Sequence, residues 1–122
     1  MIKVFLMLGS VFCMLSVMLG AFAAHGLKSR LSEYSLAIFK TAAEYQMFHG
    51  LALIAVAVLI KWGINLNWAG NFFIAGTLLF SGSLYLLALT GMKWLGPITP
   101  IGGVCFILGW VVILVQVARF KF

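Results

Sequence analysis

Four apolar runs of about 20 residues each dominate this chain, and each is long enough to cross a bilayer. The first covers residues 4–24, VFLMLGSVFCMLSVMLGAFAA, with no charge in it. The others cover about 41–60, 68–90 and 98–118. A helix rising about 1.5 Å per residue spans a hydrocarbon core of about 30 Å over such a length. Lipid offers no water to the backbone, so segments of this kind satisfy their amides and carbonyls as helices. Composition agrees: the chain of 122 residues is 65% hydrophobic and 8% charged, where a soluble domain is about half apolar and about a quarter charged. The expected fold class is all-α, a polytopic membrane protein built as a four-transmembrane-helix bundle. One membrane domain over residues 1–122 leaves no room for a separate soluble one.

The first run invites comparison with a signal peptide, since Lys3 precedes it and AFA at 21–23 resembles a cleavage site. Its apolar length exceeds the about 7–15 residues of such leaders, so a retained span is expected. The net charge of +6 does not point to nucleic acid. The basic residues stand singly between apolar runs, with no basic stripe or aromatic platform. They read as boundary charges held near headgroups, which makes the lipid bilayer the first partner. Cys13 and Cys105 lie inside apolar runs and read as small buried hydrophobes. There is no CxxC, no Gly-rich phosphate loop and no HExxH, so no cofactor and no metal is expected.

Between the first two runs lies HGLKSRLSEYSLAIFK. Leu27, Leu31, Tyr34 and Ile38 recur at helical spacing, with Lys28, Arg30, Ser32 and Glu33 elsewhere on the wheel. A short amphipathic helix lying in the interface, about 28–39, is expected there. The joins KWGINLN and GMKWLGPITP each combine one Lys, a Trp and turn formers, as headgroup-level loops do. With four spans both termini share a side, which carries Lys3, Lys61, Arg119 and Lys121. The other side carries Lys28, Arg30, Lys40 and Lys93. The charges balance, and assigning Lys40 to the second span tips them toward termini inside.

Alternating span direction places most intramembrane polarity in one leaflet. His25 ends the first span there; Glu44, Tyr45, Gln46 and His49 enter the second; Ser81, Ser83 and Tyr85 close the third; Thr99 and Pro100 open the fourth. Gln116 and Asn71 lie outside this layer. On a wheel Thr41, Tyr45 and His49 form a stripe, with Gln46 beside it. Glu44 has two readings. Thr41-Ala42-Ala43-Glu44 matches a capping box, with Lys40 one turn away; alternatively Glu44 is an intramembrane proton or cation site. His49 reads as a hydrogen-bonding link to Ser81, Ser83 or Tyr85, or as part of a proton relay. A metal shared with His25 and Glu44 would need His25 to come about 13 Å deeper, so none is expected.

Small residues mark packing seams: Ser16, Gly20 and Ala24 four apart on the first span, Gly102 and Gly109 on the fourth. Pro97 and Pro100 bracket the entry to the fourth span, where a missing amide is harmless.

The segments GAFAAHGL at 20–27, EYQMFH at 44–49, LFSGSLYLLAL at 79–89 and TPIGGVCFILGW at 99–110 resemble the small inner-membrane proteins of domain of unknown function family 423. The likeness runs end to end, departing at Ala23, where the family commonly has Gly. It implies a four-span bundle in the bacterial cytoplasmic membrane, with both termini cytoplasmic, and it implies no activity. Three function classes follow from the residues. The first is a non-catalytic homo-oligomer or accessory subunit of a larger membrane complex. The second is a small proton-coupled transporter or channel using Glu44, Tyr45 and His49. The third is a membrane protein handling a lipid or quinone.

Overall fold

The computed structural model describes all residues from Met1 to Phe122. Four helices are long and apolar enough to cross a membrane. The first is Ile2–His25 and the second Glu33–Lys61. The third, Asn67–Thr90, is α-helical over Asn67–Gly76, makes one π turn over Thr77–Ser81, and resumes as Gly82–Thr90. A short 3₁₀ turn, Lys93–Leu95, leads into the fourth, Ile98–Arg119.

The second helix, at 29 residues, is about 43 Å long and outruns the hydrocarbon core. Its start accounts for two departures from the sequence reading. No separate interfacial helix covers 28–39: residues 26–32 form turns, and Glu33 onward is one continuous helix into the membrane. Nor does Thr41 cap anything. The cap is Ser32, whose Oγ accepts from the Ser35 amide at 3.1 Å, with Glu33 favourably placed against the helix dipole. Thr41 sits mid-helix and donates its hydroxyl to the Ala37 carbonyl. Glu44 is therefore no capping-box partner.

The third helix ends at Gly91, whose φ of 70° is left-handed and whose amide donates to the Leu87 carbonyl. Glycine adopts that conformation without a Cβ clash.

The second and third helices are central and the fourth is peripheral; 44% of the apolar window of the second is buried, against 17% for the fourth. Leu53, Val56, Phe5, Phe73 and Phe106 form the main apolar core. A smaller cluster of Ala23, Leu27, Phe39 and Ala88 closes the end nearest the first connector. Outward positions such as Val17, Leu78, Ile107 and Leu114 are exposed and apolar, as a hydrocarbon solvent requires.

Glycines set the closest helix approaches. A Cβ on Gly9 would lie 2.8 Å from the Gly50 carbonyl oxygen, and one on Gly50 2.8 Å from Cys13 Sγ. Gly76 receives the Phe106 ring and Gly109 the Phe73 ring, each 2.5 Å from an added Cβ. Gly102 abuts the backbone of Phe80. The seam of the first helix thus runs through Gly9 and Cys13, with Ser16 buried beyond them. It does not continue along the expected stripe: Gly20 has nothing within 4 Å of an added Cβ, and Ala24 is exposed. The stripe drifts around the helix, and of its three members only Ser16 is buried.

These contacts predict opposite responses to one substitution. Gly102→Ala must push the Phe80 backbone and should cost about 1–3 kcal/mol by overpacking. Gly20→Ala meets open space and should gain up to about 1 kcal/mol from helix propensity. Thermal melts in a single detergent, Gly102→Ala falling and Gly20→Ala holding or rising, check both.

Candidate functional site

The polar side chains expected in one leaflet divide into an inner hydrogen-bonded set and an outer, exposed one. Gln46 stands at the centre of the inner set. Its Nε2 donates to the Phe12 carbonyl at 2.9 Å, and its Oε1 accepts from the Tyr85 hydroxyl at 2.7 Å. One carboxamide therefore joins the first, second and third helices. The Phe12 carbonyl also accepts from Ser16 Oγ at 2.8 Å. Ser81 donates to the Ala42 carbonyl at 2.8 Å, a second link between the third and second helices. Ser83 and Thr99 share a hydroxyl–hydroxyl bond of 2.6 Å, linking the third to the fourth.

His49 is bound at both ring nitrogens. Nδ1 faces the Tyr45 carbonyl at 2.8 Å, and Nε2 faces the Trp110 indole Nε1 at 3.1 Å. A carbonyl only accepts and an indole N–H only donates, so the two partners specify a neutral imidazole protonated at Nδ1. The ring also stacks on Phe106, with centroids 3.6 Å apart and planes within 10°, and meets Phe73 edge-on at 5.2 Å. With both nitrogens engaged and one face covered, the ring links the second and fourth helices.

The outer set lies elsewhere. Tyr45 is 38% exposed and packs against Phe80. Glu44 is exposed on the bundle surface, beside a groove lined by Ser16, Gly20, Lys40, Ala43 and Met47. His25 is exposed at the end of the first helix. His25, Glu44 and His49 are not brought together, and no group of three metal-ligating side chains forms. The expected partners of His49 are corrected as well. Ser81, Ser83 and Tyr85 bond to Ala42, Thr99 and Gln46, and Trp110 takes the imidazole.

Sequence reasoning missed Trp110, Phe106, the carbonyls of Phe12 and Ala42, and the π turn. Trp110 had a signal. Trp62, Trp68 and Trp94 stand at run ends, where interfacial tryptophans belong, whereas Trp110 is deep within the fourth run. A mid-span indole has one donor to satisfy and needs an acceptor nearby. Main-chain partners leave no such mark.

The inner set predicts a graded mutational response. Tyr85→Phe and Trp110→Phe should each lower stability by about 0.6–1.7 kcal/mol, the range of interhelical hydrogen bonds in membranes. His25→Ala and Tyr45→Phe, on exposed side chains, should stay within about 0.5 kcal/mol. A double-mutant cycle of Tyr85→Phe with Gln46→Leu should show positive coupling, read by unfolding in mixed micelles.

The family model described as a protein of unknown function, DUF423, matches residues 19–103. A UPF0382 membrane protein of Staphylococcus aureus is 49% identical, covering 98% of both chains. One from Staphylococcus epidermidis is 48% identical over 97% of this chain and 98% of its own length. One from Staphylococcus haemolyticus is 47% identical over the same shares. No solved structure matches. With four apolar helices, a family match across most of its length and membrane-protein relatives that align from end to end, this chain belongs to the DUF423 family of integral membrane proteins.

Proposed function

We propose that this protein is a non-catalytic membrane component that acts as a homo-oligomer in the bacterial cytoplasmic membrane. One observation carries the reading. On the outer face of the first and second helices, a groove of about 300 Å³ presents Lys40 and Glu44 one turn apart, bordered by Ser16 and Gly20. A carboxylate and an ammonium, both exposed at the entry to the second span, offer charges that a partner can complement. Gly20 has no neighbour within 4 Å of an added Cβ, which leaves space for another helix to come close. A two-fold axis along the membrane normal would set Lys40 of each copy against Glu44 of the other, a self-complementary pairing. The inner polar residues support the same reading, since each is engaged in holding helices together. The proton-coupled alternative gains no such support, because Glu44 is exposed and His49 buried, on different sides of one helix.

Orientation belongs to the proposal. Assigning Lys40 to the second span leaves Lys28, Arg30 and Lys93 on one side against Lys3, Lys61, Arg119 and Lys121 on the other, an excess that supports both termini in the cytoplasm by the positive-inside rule.

Charge reversal tests the pairing. Lys40→Glu and Glu44→Lys should each abolish most self-association, and co-expression of the two variant chains should restore it as a heterodimer. Single-molecule photobleaching of fluorescently tagged chains in native membranes reads the outcome. Unchanged dimers in both single variants would sink the pairing. Loss of a foreign protein from the purified complex in both variants would instead make this face an accessory-subunit contact.

A further inference from the structure

Another opening lies at one end of the bundle, where the second helix begins and the third ends. Tyr34, Ser35, Leu87, Gly91, Lys93 and Gly96 enclose about 360 Å³ there, within the range of small-molecule sites. Gly91, in its left-handed turn, carries the chain off the third helix. The 3₁₀ turn that follows sets Lys93 across the opening from the first turn of the second helix.

The position of this opening in the membrane follows from its neighbours. The third helix ends at Thr90, and Trp94, beside Lys93, is exposed. A tryptophan next to a lysine at the end of a span belongs at the headgroup level. One turn deeper, Leu86 and Leu89 are exposed to the hydrocarbon, and Leu87 between them gives the opening an apolar wall. An occupant therefore meets polar groups above and lipid tails below.

Charge fixes its sign. Lys93 is the only charged residue of the lining, and no carboxylate shares the opening with it. Lys28 and Arg30 stand in the connector that packs against this end through Leu27 and Ala88, and Glu33 offsets one of them. The surplus is positive, so the opening favours an anion.

Two hydroxyls complete the set. Ser10, Ser16, Thr41 and Thr90 each donate to the carbonyl four residues back along their helix. Ser35 does not, because residue 31 lies outside the helix that begins at Glu33. Its amide is taken by the Ser32 cap, and its hydroxyl is left for a ligand. Tyr34 is 71% exposed and holds its phenol at the rim. One fixed ammonium with two O–H donors suits phosphate oxygens, which accept charge-assisted hydrogen bonds. The ammonium of a zwitterionic headgroup would find no carboxylate in this lining, whereas a headgroup carrying hydroxyls meets Ser35 and Tyr34.

We infer that this opening binds the headgroup of an anionic glycerophospholipid of the phosphatidylglycerol type. Its phosphodiester sits on the Lys93 ammonium and the Ser35 hydroxyl, and its acyl chains run along Leu86 and Leu89. Basic openings between spanning helices hold anionic headgroups by the same physics.

The test uses the full-length protein, freed of lipid in detergent micelles and titrated with dioleoyl phosphatidylglycerol or dioleoyl phosphatidylcholine. Native mass spectrometry counts the lipids retained per chain. One phosphatidylglycerol is expected to bind at least about fivefold more tightly than phosphatidylcholine. Lys93→Gln should erase that preference. Lys121→Gln makes the same charge change at the other end of the bundle and should keep it. Ser35→Ala should weaken phosphatidylglycerol binding severalfold and leave phosphatidylcholine unchanged. Equal affinity for the two lipids overturns the site. So does an equal loss in Lys93→Gln and Lys121→Gln, which marks diffuse attraction to a basic protein. Displacement of the lipid by equimolar glycerol phosphate makes the opening a site for a soluble anion and overturns the lipid assignment. Should Lys93→Gln fail to fold, Ser35→Ala decides, an unchanged preference overturning the site.

Discussion

The carboxamide of Gln46 is the interaction on which the helix arrangement depends. Helices in lipid are not driven together by the hydrophobic effect, because the lipid tails are as apolar as their side chains. Close packing and interhelical hydrogen bonds must supply the specificity. Gln46 is 5% exposed, and an unmet primary amide there would be costly in hydrocarbon. Its bonds to the Phe12 carbonyl and the Tyr85 hydroxyl fix the depth of three helices at once. A one-residue slide of any of them would break at least one bond.

Glycine–phenylalanine fits then set the lateral spacing. Phe106 enters the space at Gly76 and Phe73 that at Gly109, so the third and fourth helices exchange one ring each. The same two rings enclose His49, stacked on Phe106 and edge-on to Phe73. The imidazole is consequently bound by a nitrogen donor, a carbonyl and two aromatic rings. Packing and polarity meet at this residue, and either would be poorer without the other.

How much was legible in the sequence follows from what sequence patterns encode. Hydropathy marks the hydrocarbon core, so the four apolar runs were readable. It does not mark helix ends, and the second helix begins at Glu33, well outside the apolar run that starts near Thr41. The apparent capping box at Thr41–Glu44 was therefore a mid-helix coincidence. That these polar side chains join helices was also readable: Gln46, Ser81, Ser83, Tyr85 and Thr99 do form hydrogen bonds between helices. Which residues pair was not, because Phe12 and Ala42 contribute carbonyls that every residue has. A stripe of small residues likewise says that a helix can be approached closely, not by what; Gly9 meets Gly50, and Gly20 meets nothing in its own chain.

Positions 81, 83 and 85 explain why a common depth did not amount to a common site. Along a helix, residues two apart point to roughly opposite sides and residues four apart to nearly the same side. Ser81 and Tyr85 accordingly bond to the second helix, at Ala42 and Gln46, while Ser83 bonds across to Thr99 on the fourth. A central helix with neighbours on both sides needs polar groups on both, and the alternation supplies them. Thr77, four residues before Ser81, belongs to the Ser81–Tyr85 side and is the member of that row with no partner in the chain. The hydrogen bonds that lock the third helix to the second end at Ser81.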